Sequence, residues 1–186
     1  MGYRAPHVSQ MTKSPSLRRG GLSSHLGHAS SSKKIERGDF LTLDFGCAKN
    51  GLNSDITRTV VIGEPTERQV EIYNQVLKAQ LAALGMMKPG VKASDVDAKA
   101  REVFDEIGIA KHFGHGLGHG LGRLVHDFGR LGTSSTDVLE AGQVWTVEPG
   151  VYFDGWGGCR IEDDVLVTDD GIRILTKSPK ELLVFG

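Results

Sequence analysis

From Gly114 to Gly122 every second residue is glycine, and His115 and His119 stand among them. Such a run has too few side chains to form a core of its own. It lets backbone approach backbone, or a site, more closely than a Cβ allows. Four of the seven His fall within residues 112–126, and 12 of the 25 Gly lie between Gly114 and Gly158. A flexible Gly/His linker would have the same composition, but strand-like segments on both sides favour a built site.

Those flanking segments can be read from their periodicity. Residues 40–45 (Phe-Leu-Thr-Leu-Asp-Phe) and 56–62 alternate as strands, and Asn50-Gly51 between them predicts a hairpin turn because both residues tolerate positive φ. Thr66 and Gln69 are spaced as a capping box. The helix they open carries Val70, Tyr73, Leu77, Leu81 and Leu84 at helical spacing and ends near Gly85 and Pro89-Gly90. A second helix starts after Ser94, has Val96, Ala100, Val103, Phe104 and Ile107 on one face, and stops at Gly108. Residues 144–147, 160–168 and 172–175 read as further strands. A hairpin, two helices and then several strands predict an α+β fold with a largely antiparallel sheet.

The 186 residues suffice for one domain with a real core. No apolar run approaches a membrane span, and Cys47 and Cys159 alone make neither a disulfide framework nor a Cys-rich zinc site. A cytoplasmic protein is expected. Residues 1–35 contain six basic residues and no acid, so the remainder is acidic although the net charge is −1. The Ser-rich stretch 1–33 reads as a basic disordered arm, a transit-like leader or a non-native start, with order beginning at about Gly38. No aromatics are interleaved with its charges, which argues against a nucleic-acid partner.

The carboxylates carry the chemistry. Asp44 lies inside an apolar strand, where a charge is costly unless a cation or several donors meet it. Asp55 follows across the hairpin, where pairing can bring the two together. Glu148 and Glu162 also stand in strand-like settings. Glu162 shares a face with Arg160, while Asp163 and Asp164 beside it read as a solvated acidic edge. Four carboxylates and one or two imidazoles suit two divalent ions such as Mn, Co, Fe or Zn. Paired ions of this kind share a hydroxide and polarise a carbonyl, which is hydrolytic chemistry.

At these positions the chain resembles the pita-bread metallopeptidase family of methionine aminopeptidase, aminopeptidase P and prolidase. The resemblance runs from about Lys34 to the C-terminus and rests on GDFLTLDFG, NSDITRTV, HGLGHGLGRLVHD, VWTVEPGVY and GWGGCRIEDDVLVT, in that order. It implies that Asp44 chelates one metal, His119 and Glu148 hold the other, and Asp55 and Glu162 bridge both. It makes Glu148 the candidate general base and His115 a substrate contact near the scissile bond. His126 would hydrogen-bond the reacting carbonyl and its tetrahedral intermediate, and Arg160 would face the substrate side and Glu162. The implied metals are Mn first, with Co, Zn or Fe as alternatives.

GWGGCRIEDD and the closing LTKSPKEL resemble the Xaa-Pro branch of that family. This implies a peptide substrate with Pro at its second position, no nucleic-acid or membrane partner, and a homodimer as the candidate assembly. Cleavage of longer Xaa-Pro peptides is the first expectation. A prolidase, a methionine aminopeptidase-like enzyme, or an inactive binding protein of the same fold are the alternatives. The first-half helices of the pita-bread fold would precede Asp44, and residues 1–33 do not resemble them. The expectation is therefore the C-terminal portion of that fold, with 34–186 as an incomplete catalytic domain. A His in a Leu-Pro-His-Gly-like stretch often precedes the first Asp in the family; here the order around His25 and His28 is disturbed, and neither receives a role.

Overall fold

Asn50 and Gly51 take positive φ (53° and 80°) and close a two-residue turn between β2 (Phe40–Lys49) and β3 (Leu52–Ile62). The computed structural model describes residues 34–186 in full and only the backbone of β1 (His7–Lys13) before them. β1 pairs antiparallel with β2, so a strand lies N-terminal to the expected first one. The rest of the 1–33 segment, with His25 and His28, lies outside the described residues.

Two helices follow, α1 (Glu67–Met86) and α2 (Ala93–Asp105). A single 3-10 turn, Ala110–His112, then leads to β4 (Gly118–Gly120). The remaining strands are β5 (Asp127–Leu131), β6 (Val144–Val147), β7 (Gly150–Phe153), β8 (Gly157–Arg160), β9 (Asp163–Val167), β10 (Ile172–Ile174) and β11 (Leu183–Phe185). One sheet has the order β1-β2-β3-β11, a second β10-β9-β6-β4-β5, and β7 and β8 form a two-stranded ribbon. Among the described residues, every strand pairing is antiparallel except that of β11 with β3. This is the expected α+β arrangement. Among the described residues, no helix is long and apolar enough to cross a membrane.

The capping box forms: Thr66 Oγ1 accepts from the Gln69 N–H at 3.3 Å, and Gln69 Oε1 accepts from the Thr66 N–H at 2.9 Å. The buried face of α1 nevertheless differs from the expected one. Ile72, Tyr73, Val76, Ala79, Ala83 and Leu84 are buried, whereas Val70 and Leu81 are 37% and 51% exposed. Gln80 explains the rotation, since its buried amide donates to Val147 O, Ile161 O and Asp163 Oδ2. A polar residue with interior acceptors takes a core position that periodicity assigns to an apolar one. Ile107, expected on the apolar face of α2, lies past its end and is 42% exposed.

The strand expected over 160–168 is two strands. β8 pairs with β7 and β9 pairs with β6, and the chain changes partner at Ile161 and Glu162. There the Glu162 N–H donates to Thr57 O at 3.1 Å, docking the segment on β3. Asp163 is correspondingly 0% exposed and Asp164 is buried, so the acidic edge expected at both is absent.

Asp163 meets Arg58 NH2 at 2.7 Å and Lys180 Nζ at 2.5 Å. Arg58, itself buried, also donates to the carbonyls of Thr57, Glu162, Ser178 and Pro179. One ion pair thus joins β3, the start of β9 and the C-terminal segment. Removing one member of such a buried pair typically costs about 3–5 kcal/mol, because the other charge is stranded. Asp163→Asn is expected to lower unfolding stability in urea by about that amount. Lys78→Ala, which breaks the exposed pair with Glu106, should leave the urea midpoint essentially unchanged.

Candidate metal centre

On the β2–β3 ladder Asp44 stands opposite Thr57 and Gly46 opposite Asp55. Directly opposed residues share a face, so Asp44, Asp55 and Thr57 project to the same side. Gly46 is required there: a Cβ would run into the Ser54 carbonyl. Thr57 Oγ1 donates to Glu162 Oε2 at 2.5 Å, which brings the end of the second sheet against this face.

β4 supplies His119. Its flanking glycines have a steric reason, since a Cβ on Gly118 would strike Thr146 O and one on Gly120 would strike Phe128 O. The His119 N–H donates to Thr146 Oγ1 at 3.0 Å, and Thr146 Oγ1 donates to Glu148 Oε1 at the same distance. One threonine hydroxyl therefore sets both residues.

The tautomer of His119 follows from its partners. Nδ1 lies 2.9 Å from Gly120 O, which can only accept, so Nδ1 carries the proton. Burial pushes the imidazole pKa down to about 4, so the ring is neutral and Nε2 presents a lone pair. That lone pair faces Glu148 Oε1 at 3.4 Å and Asp55 Oδ2 at 3.9 Å. Donor atoms of Asp55, His119 and Glu162 all lie within 4.8 Å of one another.

Like groups held this close resist ionisation. Burial, with the Asp44 and Asp164 charges, pushes Asp55 up to about 7. Burial pushes Glu148 up to about 8 and holds Glu162 well above the usual carboxylate range. An imidazole lone pair aimed at oxygens reluctant to ionise is the donor set that a divalent cation satisfies. Oxygen and nitrogen donors without thiolate fit a Mn, Co, Fe or Zn ion.

The other expected residues are placed as follows. Asp44 Oδ2 accepts from Arg160 NH2 at 2.5 Å. Arg160 Nε lies 3.9 Å from Glu148 Oε2, and NH1 donates to the Tyr152 hydroxyl at 2.8 Å. His115 Nδ1 lies 2.8 Å from Gly116 O and Nε2 3.1 Å from the same Tyr152 hydroxyl. The His126 ring is 4.3 Å from that of His119. His115, His126 and Glu148 line a cleft of about 630 Å³ together with Phe113, Arg130 and Leu131.

Thr57, Thr146, Tyr152 and Asp164 complete the site and were not anticipated. Asp164 Oδ2 accepts the Asp55 N–H at 3.0 Å, and burial pushes its carboxyl up to about 6. A signal existed for both threonines. Thr57 is two residues from Asp55 and Thr146 two from Glu148, hence on the same strand faces. Tyr152 had no such signal.

The profile of Metallopeptidase family M24 matches residues 7–169, a span that starts N-terminal to the resemblance from about Lys34. An Xaa-Pro dipeptidase of Pyrococcus furiosus is 48% identical over 164 residues, 88% of this chain and 47% of that protein. The solved prolidase from Pyrococcus furiosus superposes with a TM-score of 0.82 at 42% identity, over 91% of this chain and 49% of that one. An X-Pro aminopeptidase from Thermotoga maritima gives 0.81 at 42% identity, over 84% and 44%. The chain thus spans about half the length of the relatives it matches, and it shares their pita-bread fold.

The shifted pKa values fix a sign. A carboxyl raised in the folded state stabilises the fold at low pH and loses that contribution as pH climbs to its folded pKa. A histidine lowered to about 4 acts oppositely, but only up to its ordinary value of 6.5. Between pH 6.5 and about 8 the carboxyls act alone. In chelator-treated protein, thermal stability should fall across that window, and excess Mn should reverse the fall with release of protons detectable by calorimetry in two buffers.

Proposed function

Because the chain belongs to metallopeptidase family M24, we propose that it is a metal-dependent peptidase cleaving the bond between an N-terminal residue and proline. The relatives named as an Xaa-Pro dipeptidase and a prolidase support Xaa-Pro dipeptides ahead of the longer Xaa-Pro peptides that the sequence suggests first. The relative named as an aminopeptidase keeps the longer substrates as the second reading. The observation that carries the proposal is the neutral His119 Nε2 aimed into the Asp55, Glu148 and Glu162 carboxyls.

In this reading Asp44, Asp55, His119, Glu148 and Glu162 hold two divalent ions, Mn first. Such a pair, when bound, supplies Lewis acidity that lowers the pKa of water and polarises a carbonyl. The chain's own groups orient the substrate and move protons. Glu148, raised to about 8 and fixed by Thr146, is suited to accept and return a proton near neutrality. His126 faces the cleft beside His119 and offers an N–H to the oxygen that gains charge.

His115 works differently. Gly116 O requires the proton on Nδ1, so Nε2 accepts from the Tyr152 hydroxyl, which in turn accepts from Arg160. His115 therefore contributes a ring to the cleft wall, edge-on to Phe113, and contacts substrate by shape. Arg160 balances Asp44 and the adjoining Glu148.

Dipeptide preference needs a group that recognises a nearby free carboxylate. Among the described residues no carboxylate pairs with the Arg130 guanidinium, which donates to the carbonyls of Asp127 and Gly129. It lies in the cleft wall, where a substrate carboxylate can reach it. The reading carries a cytoplasmic location and a homodimer, the latter measurable by light scattering.

The test is hydrolysis of an Xaa-Pro dipeptide, an Xaa-Pro-Yaa tripeptide and a Met-Ala peptide with Mn. Dipeptide cleavage is expected, and Glu148→Gln should abolish it without loss of folding. Arg130→Ala should raise the dipeptide KM roughly tenfold or more, as loss of a charge-assisted hydrogen bond does, with little change for a C-terminally amidated dipeptide. Preferential tripeptide cleavage insensitive to Arg130 would establish the aminopeptidase reading. Tight Mn binding without any cleavage would leave a non-catalytic member of the fold.

A further inference from the structure

α2 carries a charged pair that the metal site does not use. Asp97 is 0% exposed, where a carboxylate is costly unless its oxygens find donors. Arg101, one turn on, supplies two, with Nε 2.7 Å from Oδ2 and NH2 3.3 Å from Oδ1. The third is the backbone N–H of Leu117, 3.0 Å from Oδ1. Arg101 also donates to Phe113 O at 3.0 Å and His115 O at 2.7 Å, and its guanidinium lies 4.4 Å over the Phe113 ring. Two side chains therefore fix three peptide groups of segment 113–117, which links the 3-10 turn to β4.

The contact continues into the site. Leu117, held by its N–H to Asp97, accepts the Glu148 N–H on its carbonyl at 2.7 Å. The neighbouring glycines leave the segment little room: a Cβ on Gly116 would lie 2.7 Å from Leu131 O, and one on Gly118 would strike Thr146 O. The pair Lys99–Glu102 on the same helix is exposed and touches none of this. A salt bridge that served α2 alone would need no burial and no bonds to three peptides outside the helix.

We propose that Asp97 and Arg101 are a positioning pair for the site: Arg101 sets His115 through the Phe113 and His115 carbonyls, and Asp97 sets Glu148 through the Leu117 peptide. Any effect on turnover rests on the peptidase reading above, whereas the placement of the His115 ring, and that of Glu148 through the His119 ring 3.4 Å from it, can be read without turnover. Displacements of about 1 Å in a catalytic group can cost about 100-fold in rate.

The full chain, labelled with 15N-histidine, is compared with Asp97→Asn, Arg101→Met and Arg101→Lys by imidazole NMR without metal and by Mn titration. Ala83→Gly, at a buried site on α1, is the control for loss of stability alone. Asp97→Asn and Arg101→Met should move the His115 and His119 ring resonances and weaken Mn binding about tenfold relative to the control. Arg101→Lys keeps a cation for Asp97 but cannot span both carbonyls. It should recover Mn affinity while His115 stays displaced. Ring signals and Mn affinity indistinguishable from the control overturn the proposal. Should Asp97→Asn and Arg101→Met fail to fold, Arg101→Lys decides, and a parent-like His115 signal overturns it. A parent without peptidase activity would sink the proposed function, yet these readouts would still judge the pair.

Discussion

The buried Arg58–Asp163 pair joins the segments that bring the acids of the candidate site together. The metal-facing side of β3 presents Asp55 and Thr57, while Glu162 arrives from a segment far along the chain. Arg58, between them in sequence, points to the opposite face of β3 and spends its guanidinium on Asp163 and four carbonyls. Two buried charges are favourable only when such bonds replace their hydration. The same geometry forces Glu162 and Asp164, either side of Asp163, onto the face of the centre. Alternation along β3 and along the segment entering β9 thus converts one ion pair into the placement of Glu162 and Asp164 at the candidate site.

Peptide groups and one threonine hydroxyl then set the remaining distances. His119 is held by the Thr146 hydroxyl and the Gly120 carbonyl, Glu148 by Thr146 and the Leu117 carbonyl. Peptide groups are stiffer than side chains and carry no rotamer choice. Gly116, Gly118 and Gly120 are small because neighbouring carbonyls occupy the space a Cβ would need. The glycine run is thus the geometric consequence of threading one strand between two others at a site.

Much of this was legible in the sequence, for identifiable reasons. Asp44, Asp55, His119, Glu148 and Glu162 were singled out because each breaks a local rule, an acid or imidazole in an apolar or glycine-rich strand, and their order matched a family pattern. The hairpin was legible because Asn-Gly has one strong local solution. The buried face of α1 was not, because Gln80 takes a core position whose acceptors, Val147, Ile161 and Asp163, are remote in sequence. Asp163 and Asp164 were misread as solvated because an acid looks the same in sequence whether water or a distant Arg58 meets it. Tyr152 was invisible for a similar reason: its partners His115 and Arg160 come together only when β7 folds back on β8.

The buried acids fall into two groups, and the division is physical. Asp97 and Asp163 each have a cation of the chain's own, Arg101 for the first and Arg58 with Lys180 for the second. Asp55, Glu148 and Glu162 share only the charge of Arg160, which also pairs with Asp44, and burial pushes their carboxyls up, as it does that of Asp164. Sequence cannot separate the groups, since both consist of acids in strands and helices flanked by apolar residues. Burial without a matched cation can: it costs stability unless something outside the chain supplies the positive charge. Acids of the first group hold the fold and position the second, and the fold tolerates the second because a cation can complete it.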